Sequence, residues 1–366
     1  MPAVIDAHAV LQILWFLLIS VLLVGYFILD GFDLGSGILS PFVAKTEPEK
    51  AIVRRAIGPI WDGNEVWLLT AGGALFAAFP PAYATSFSGF YLAIMLVLFG
   101  LIFRAIAIEY AARDAKWRKF WNGAFFVGSL LPALLFGAAI GNVIQGVVLN
   151  SHGDYVGGFF SLLNPFALLC AIMGLVTFIA HGASWLCLKA PLESLVRQRA
   201  IKMRSMFSII QLVVFVLVSV YFFLAVYPQF GSDRIAMPVA FAAAAVCAVG
   251  WVLARLFMVN RNDLWAFLAG CLIPVALIGI TAGSLFPNLI PAAMNPAGVV
   301  TYFFVPGAAD TASSLTIFNS SNSAYTLTAM TIITCIGLPL VLLYHIVIYR
   351  TFRGRIAEAD VETGGY

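Results

Sequence analysis

Charge is what this sequence has least of. Asp, Glu, Lys and Arg make up 10% of its 366 residues, against about 25% in an ordinary soluble domain. No stretch is polar enough to build a separate soluble domain. Paired cysteines are missing too: Cys170, Cys187, Cys247, Cys271 and Cys335 stand singly inside apolar runs and read as small core residues. Histidine is limited to His8, His152, His181 and His345. There is no Cys-x-x-Cys-His, Rossmann glycine run, P-loop lysine motif, heptad or low-complexity tract, so no cofactor or metal site is expected in this chain. Nucleic acid is not among the implied partners.

Apolar sequence fills the space. The chain is 62% hydrophobic with a mean hydropathy of +0.99, which implies an all-α polytopic membrane protein in contact with a lipid bilayer. Nine runs are long enough to cross it: about 9–30, 61–79, 83–110, 120–147, 163–187, 205–228, 236–258, 263–286 and 324–349. The first is too long for a signal-peptide core and has no basic segment before it, so it is expected to be a retained span. Of the 20 Lys and Arg residues, 18 fall in 45–55, 113–119, 189–204, 255–261 and the tail, all on one side of a nine-span chain. The positive-inside rule then predicts an outer N-terminus and a cytoplasmic C-terminus. The spans group as four, four and one. This predicts one transmembrane domain over 1–366, built as two four-helix bundles plus one peripheral helix. Segment 45–57 reads as a short amphipathic surface helix. The longest connection, 287–323, holds one carboxylate, Asp310.

Within this frame one stretch stands out, Gly58 to Pro80, GPIWDGNEVWLLTAGGALFAAFP. Asp62 and Glu65 are three apart and share a helical face. Asp30 and Asp33 of GYFILDGFDLGSG, and Arg104 and Glu109 of the third run, fall at the same, cytoplasmic end. Five acids and one arginine are thus expected to converge. One arginine cannot neutralise five carboxylates, so at least one acid must be held protonated or reach water. Two readings follow: a structural ion-pair network, with Arg104 on Asp33 or Asp62, or a path for protons. The glycines Gly31, Gly35, Gly37, Gly63, Gly72 and Gly73 are expected to let helices approach closely. Trp61, Trp67, Trp117 and Trp121 read as interfacial anchors or core. Of the histidines, only His181 and His345 lie at a common depth, and they read as polar core residues rather than a haem pair.

These residues resemble a known family. GYFILDGFDLGSGIL and the WDGN-VWL-TAGGALFAA block are similar to subunit II of the cytochrome bd-type quinol oxidases. The similarity continues through GSLLPALLFGAAIGNVIQG, LLNPFALLCAIMGLVTFIAHGA, ITAGSLFPNLIP, SLTIFNSSNSAYTLTAMT and LPLVLLYHIVIYRTFRGRI. It covers nearly the whole chain and is least clear over 189–260.

The resemblance implies a bacterial respiratory enzyme of the cytoplasmic (inner) membrane that oxidises quinol and reduces dioxygen to water. Such an enzyme is electrogenic through proton uptake, without pumping. Two b-type haems and one d-type haem would belong to subunit I, the partner in a heterodimer, and a small single-span accessory subunit would complete the set. This subunit would ligate no haem and be inactive alone. By motif position Asp62, with Glu65, Glu109 and Asp30, is expected on the proton route. Trp67 is expected to line a dioxygen channel, and Asp33 with Arg104 to form a buried ion pair. Glu65 stands where relatives carry Gln, and Asn319 where some carry Asp. The rival reading is a stand-alone proton-coupled transporter with Asp62 and Glu65 as coupling carboxylates. Transporters of that kind place discontinuous helices at matching positions in two halves, whereas the charges here cluster on the first three spans only.

Overall fold

The computed structural model describes residues 6–230, 236–293 and 313–357. Arg234 and Asp310 lie outside the described residues. Among those described, nearly all the regular structure is helical.

Helix α1 (Ala7–Val43) is the axis of the fold. At 1.5 Å per residue its 37 residues span about 55 Å, well beyond a hydrocarbon core of about 30 Å. The predicted run stopped at residue 30; the helix instead continues through the acidic, glycine-rich DGFDLGSG segment. Glycine is a poor helix former, yet here its missing side chain is what α7 (Pro165–Lys189) requires. A Cβ at Gly35 would overlap the carbonyl of Phe178, and one at Gly182 would overlap the backbone of Gly35. Two backbones therefore touch at the α1–α7 crossing, a mode of packing that only small residues permit. The aromatic core builds outward from there, with Phe32 stacked on Trp185 at 4.2 Å between ring centroids.

Helix α2 (Glu47–Ile57) is the expected amphipathic segment. Thr46 and Glu49 form a capping box at its start, and Ile52, Val53, Ala56 and Ile57 are buried against α1, α7 and α8 (Leu195–Tyr221). Glu49 also accepts from Arg199 at 2.9 Å, tying α2 to α8.

Helix α3 (Trp61–Ala78) ends where Pro80 and Pro81 open a short helix, α4 (Pro80–Gly89). Helix α5 (Tyr91–Arg113) starts only after Phe90. The apolar run read as one span over 83–110 is therefore broken. Prolines are at home in a first helical turn, and the glycine ends the short helix they begin. Helix α6 (Arg118–Gln145) stops at Gly146, whose φ is 87°. Helix α8 runs through a π turn, Phe222–Val226, into the single turn α9 (Tyr227–Phe230). Helices α10 (Met237–Val259) and α11 (Asp263–Leu285) pair closely, and α12 (Ala324–Thr351) completes the set. A two-stranded ribbon, β1 (Asn288–Ile290) against β2 (Leu315–Thr316), lies at the opposite end from α2.

Helix α1 packs against α3, α6, α7, α11 and α12, while α5 lies on α6 and α7 on α8. Among the described residues, eight helices are long and apolar enough to cross a membrane: α1, α5, α6, α7, the α8–α9 run, α10, α11 and α12. Helix α3 is not among them, because its first turn and a half, Trp-Asp-Gly-Asn-Glu, dilutes an element of only 18 residues.

Candidate functional site

The polar residues of α1, α3 and α5 meet in the interior. Arg104 is completely buried, as are Asp30 and Asp33 one turn apart on α1. The Arg104 guanidinium donates through Nη2 to Asp30 Oδ1 at 2.6 Å and to Glu65 Oε1 at 2.5 Å. Asp33 takes a different partner. Its Oδ2 accepts from Asn64 Nδ2 at 2.7 Å, and Asn64 Oδ1 accepts from the Tyr349 hydroxyl of α12 at 3.0 Å.

The expected Asp33–Arg104 pair is thus corrected: Arg104 pairs with Asp30 and Glu65. The offset between the two aspartates explains the exchange. Three residues turn the α1 surface by about 60° and move it about 4.5 Å along the axis, which brings Asp33 to the Asn64 amide at the start of α3. Three carboxylates consequently face one guanidinium. Asp33 Oδ1 and Arg104 Nε and Nη1 are buried without a protein partner among the described residues. Buried polar atoms of this kind are normally satisfied by ordered water.

Two predicted members do not join the cluster. Glu109 follows Arg104 by five residues, about 140° further round the helix, and faces Arg113 of its own helix at 3.7 Å. Asp62 is exposed in the first turn of α3, where its Oδ1 accepts the Gly63 N–H at 2.8 Å. A carboxylate is favoured there by the positive end of the helix dipole.

Trp67 is buried on the next turns of α3 and donates from Nε1 to His345 Nε2 at 3.1 Å. That nitrogen must accept, so the His345 proton sits on Nδ1, 2.9 Å from the Val341 carbonyl. Both ring nitrogens of His345 are therefore used. His181 holds the Ile28 carbonyl through Nε2 at 3.0 Å, and its ring stacks on Phe267 at 4.9 Å. The two histidines keep separate company and do not fit a haem-ligating pair. Among the described residues, no three His, Cys, Asp or Glu side chains gather as a metal set.

Beside Trp67 lies an apolar cavity of about 420 Å³ between α1, α3 and α12, with Trp15, Gly73, Met330 and Val341 in its wall. Gly72 and Gly73, expected at a close helix contact, instead face open space. Asn64, His345 and Tyr349 were not singled out as site residues from sequence. The one available signal was the four-residue spacing of His345 and Tyr349, which puts both on one face of α12.

A protein-family model described as cytochrome bd terminal oxidase subunit II matches residues 11–352. The chain belongs to that family. It is 38% identical to the probable cytochrome oxidase subunit 2 of Haemophilus influenzae, over 78% of this chain and 83% of that one. It is 33% identical to the cytochrome bd ubiquinol oxidase subunit 2 of Bacillus subtilis, over 79% and 84%. With the cytochrome bd-I ubiquinol oxidase subunit 2 of Escherichia coli K12 the identity is 44%, but the match spans only about half of each chain, 53% and 52%. A chain from the bd oxidase structure of Geobacillus thermodenitrificans shares the fold, with a TM-score of 0.74 at 16% identity, over 94% of this chain and 98% of that one. Family membership makes this protein a subunit of an oxidoreductase complex of electron transport, and its eight apolar helices fit a multi-pass membrane protein.

Proposed function

We propose that this chain is the haem-free subunit of a quinol oxidase of the bacterial inner membrane, and that it conducts protons from the cytoplasm toward haems held by subunit I. The carrying observation is the shared Arg104 guanidinium between Asp30 and Glu65, with Asp33 Oδ1 beside them unpartnered among the described residues. Carboxylates and water in a low-dielectric interior are the usual means of moving protons through a membrane protein.

In this reading α3 is the ninth span, its polar first turn at the cytoplasmic face, with the N-terminus of the chain outside. The first four spans and the next four form two bundles, with α12 at the periphery. Asp62, exposed at that face, collects protons, with Glu109 at the surface as an outer group. Asp30 and Glu65 carry them inward, and Arg104 keeps their charge in balance. Trp67 and its apolar cavity offer dioxygen a dry path, since a small apolar gas partitions into such space. The haems, two of type b and one of type d, and the quinol site lie in subunit I, with a small single-span subunit alongside. The chain alone is inactive.

The test is an Asp62→Asn complex that assembles with full haem content. Its quinol oxidase turnover should fall at least tenfold, with proton uptake falling in parallel. Normal turnover with normal uptake would remove Asp62 from the route. The transporter reading is tested by purification in mild detergent: a partner with b- and d-type absorption supports the oxidase. A colourless chain that moves a solute into liposomes would overturn it.

A further inference from the structure

The ends of α7 and α12 meet on the side of the basic loops, and each completes the other. The last carbonyls of an α-helix have no partner within it. At the end of α7, Arg355 donates to the Cys187 and Ala190 carbonyls at 2.7 and 2.9 Å, and the Ile356 N–H donates to the Lys189 carbonyl at 2.9 Å. In return the ammonium of Lys189, the last residue of α7, donates to the carbonyl of Phe352, which caps α12, and to that of Gly354 at 2.8 Å. Lys189 and Ile356 are both buried. Arg355 also pairs at 3.0 Å with Asp263, the first residue of α11. Asp263 is held in turn by Arg197 and Arg204 of α8 at 2.8 and 3.0 Å. A cation at the end of α7 and a carboxylate at the start of α11 each suit the helix dipole beside them. Segment 352–356 thus fastens the end of α12 to α7 directly, and to α8 and α11 through Asp263.

We propose that segment 352–356 is a clasp that positions the buried charge cluster, with Lys189 and Arg355 as its positioning residues. Tyr349 lies in the last turn of α12, three residues before Phe352. Its hydroxyl donates to Asn64 at 3.0 Å, and Asn64 holds Asp33. A hydrogen bond of that length is lost when its ends part by about 1 Å more, so the place of the last turn decides whether Asn64 is held. The clasp sets that place. Its effect on turnover rests on the proton-route reading of the cluster; the clasp itself does not.

The experiment uses the whole oxidase complex in mild detergent. Its first readout is maleimide labelling of Cys187, followed by peptide mass spectrometry. Cys187 is 0% exposed, and its thiol lies within reach of the charges of Arg204, Asp263, Arg197 and Arg355. Arg355→Gln should speed its labelling about tenfold or more, since even one hydrogen bond to a charged group is worth that much in an opening equilibrium. Arg355→Lys, which replaces the fork by a single ammonium, should give a smaller rise, and it decides the matter if Arg355→Gln does not assemble. The second readout is a double-mutant cycle in quinol oxidase turnover. Arg355→Gln should lower turnover on the order of fivefold, but less than about twofold in a Tyr349→Phe background, because coupled neighbours do not add. A merely structural loss would be the same in both backgrounds. Unchanged Cys187 labelling overturns the clasp, and an undiminished effect in Tyr349→Phe overturns its positioning role. Labelling does not depend on turnover, so normal turnover and uptake in Asp62→Asn would sink the proton route and leave the clasp standing.

Discussion

Arg104→Met is the most direct test of the buried cluster, because methionine keeps much of the unbranched stem and removes only the charged fork. The side chains of Arg104 and Asp30 are both 0% exposed, and that of Glu65 is 23% exposed. Without the guanidinium, Asp30 is a buried carboxylate with no counter-charge. Removing one partner of a buried pair costs roughly 3–5 kcal/mol. A second route to the figure agrees: protonating a carboxyl of ordinary pKa, about 3.9, at pH 7 costs about 4 kcal/mol, which caps the penalty for keeping it charged. Glu65 adds less, because part of it already reaches the surroundings. With an unfolding entropy of about 2.1 cal/mol/K per residue, the 366 residues convert this to a drop in melting midpoint on the order of 5 °C. The assay is tryptophan fluorescence of the purified complex during heating. Arg104→Met combined with Asp30→Asn should recover at least half of the loss, since the uncompensated charge is gone. An unchanged midpoint for Arg104→Met, or a double variant no better than the single, would refute the reasoning.

Two further predictions rest on other parts of the molecule. Gly35→Leu drives a side chain into the Phe178 carbonyl; overpacking against a helix backbone that cannot yield should cost roughly 3 kcal/mol or more, read as loss of assembled complex from membranes, and wild-type levels would contradict the crossing. The Asp114 carboxyl, between α5 and α6, is held below its usual range by the Trp121 Nε1–H and by the backbone N–H groups of Trp117 and Lys116. A depressed carboxyl stabilises the fold above its unfolded pKa and loses that contribution as pH falls through the folded value. The midpoint difference between the wild-type protein and Asp114→Asn should therefore be greatest near neutral pH and shrink as the pH falls below the ordinary Asp value of about 3.9; a difference that grows on acidification would reverse the assignment.

How far the sequence could be read depended on the kind of signal. Hydropathy found the long helices because hydrocarbon length is a one-dimensional property of the chain. It failed at Pro80–Phe90, where two prolines and a glycine divide an apolar run that remains apolar throughout. It also cut α1 short at residue 30, because Asp-Gly-Phe-Asp-Leu-Gly-Ser-Gly reads as a helix end; only the Gly35–Gly182 backbone contact explains why the helix goes on. In the site, Asp30, Asp33, Glu65 and Arg104 were legible as a group, since charges in an apolar segment are conspicuous. Their pairing was not. Which acid Arg104 takes is decided by helix rotation and by Asn64, a neutral residue whose side-chain partners, Asp33 and Tyr349, are 31 and 285 residues away. Glu109 shows the limit from the other side: similar depth does not mean the same face.

The placement of α12 follows from the same polar bonds. Only Leu327 and His345 of its 28 residues are buried, and Ile332, Ile333, Ile336, Leu340 and Leu343 are all exposed. The hydrophobic effect gives such a helix no drive to dock in a bilayer, because lipid tails are as apolar as its side chains. What distinguishes its docked position from any other is a ladder of hydrogen bonds. Trp15 Nε1 donates to Leu327 O and Thr331 Oγ1, Trp67 Nε1 to His345, and the Tyr349 hydroxyl to Asn64. The last two rungs stand on α3, the helix that also presents Glu65 to Arg104. Helix α12 is thus tied to the charge cluster through Asn64 as well as to the core through Trp15 and Trp67, and a change at Asn64 would be felt at both the helix and the cluster.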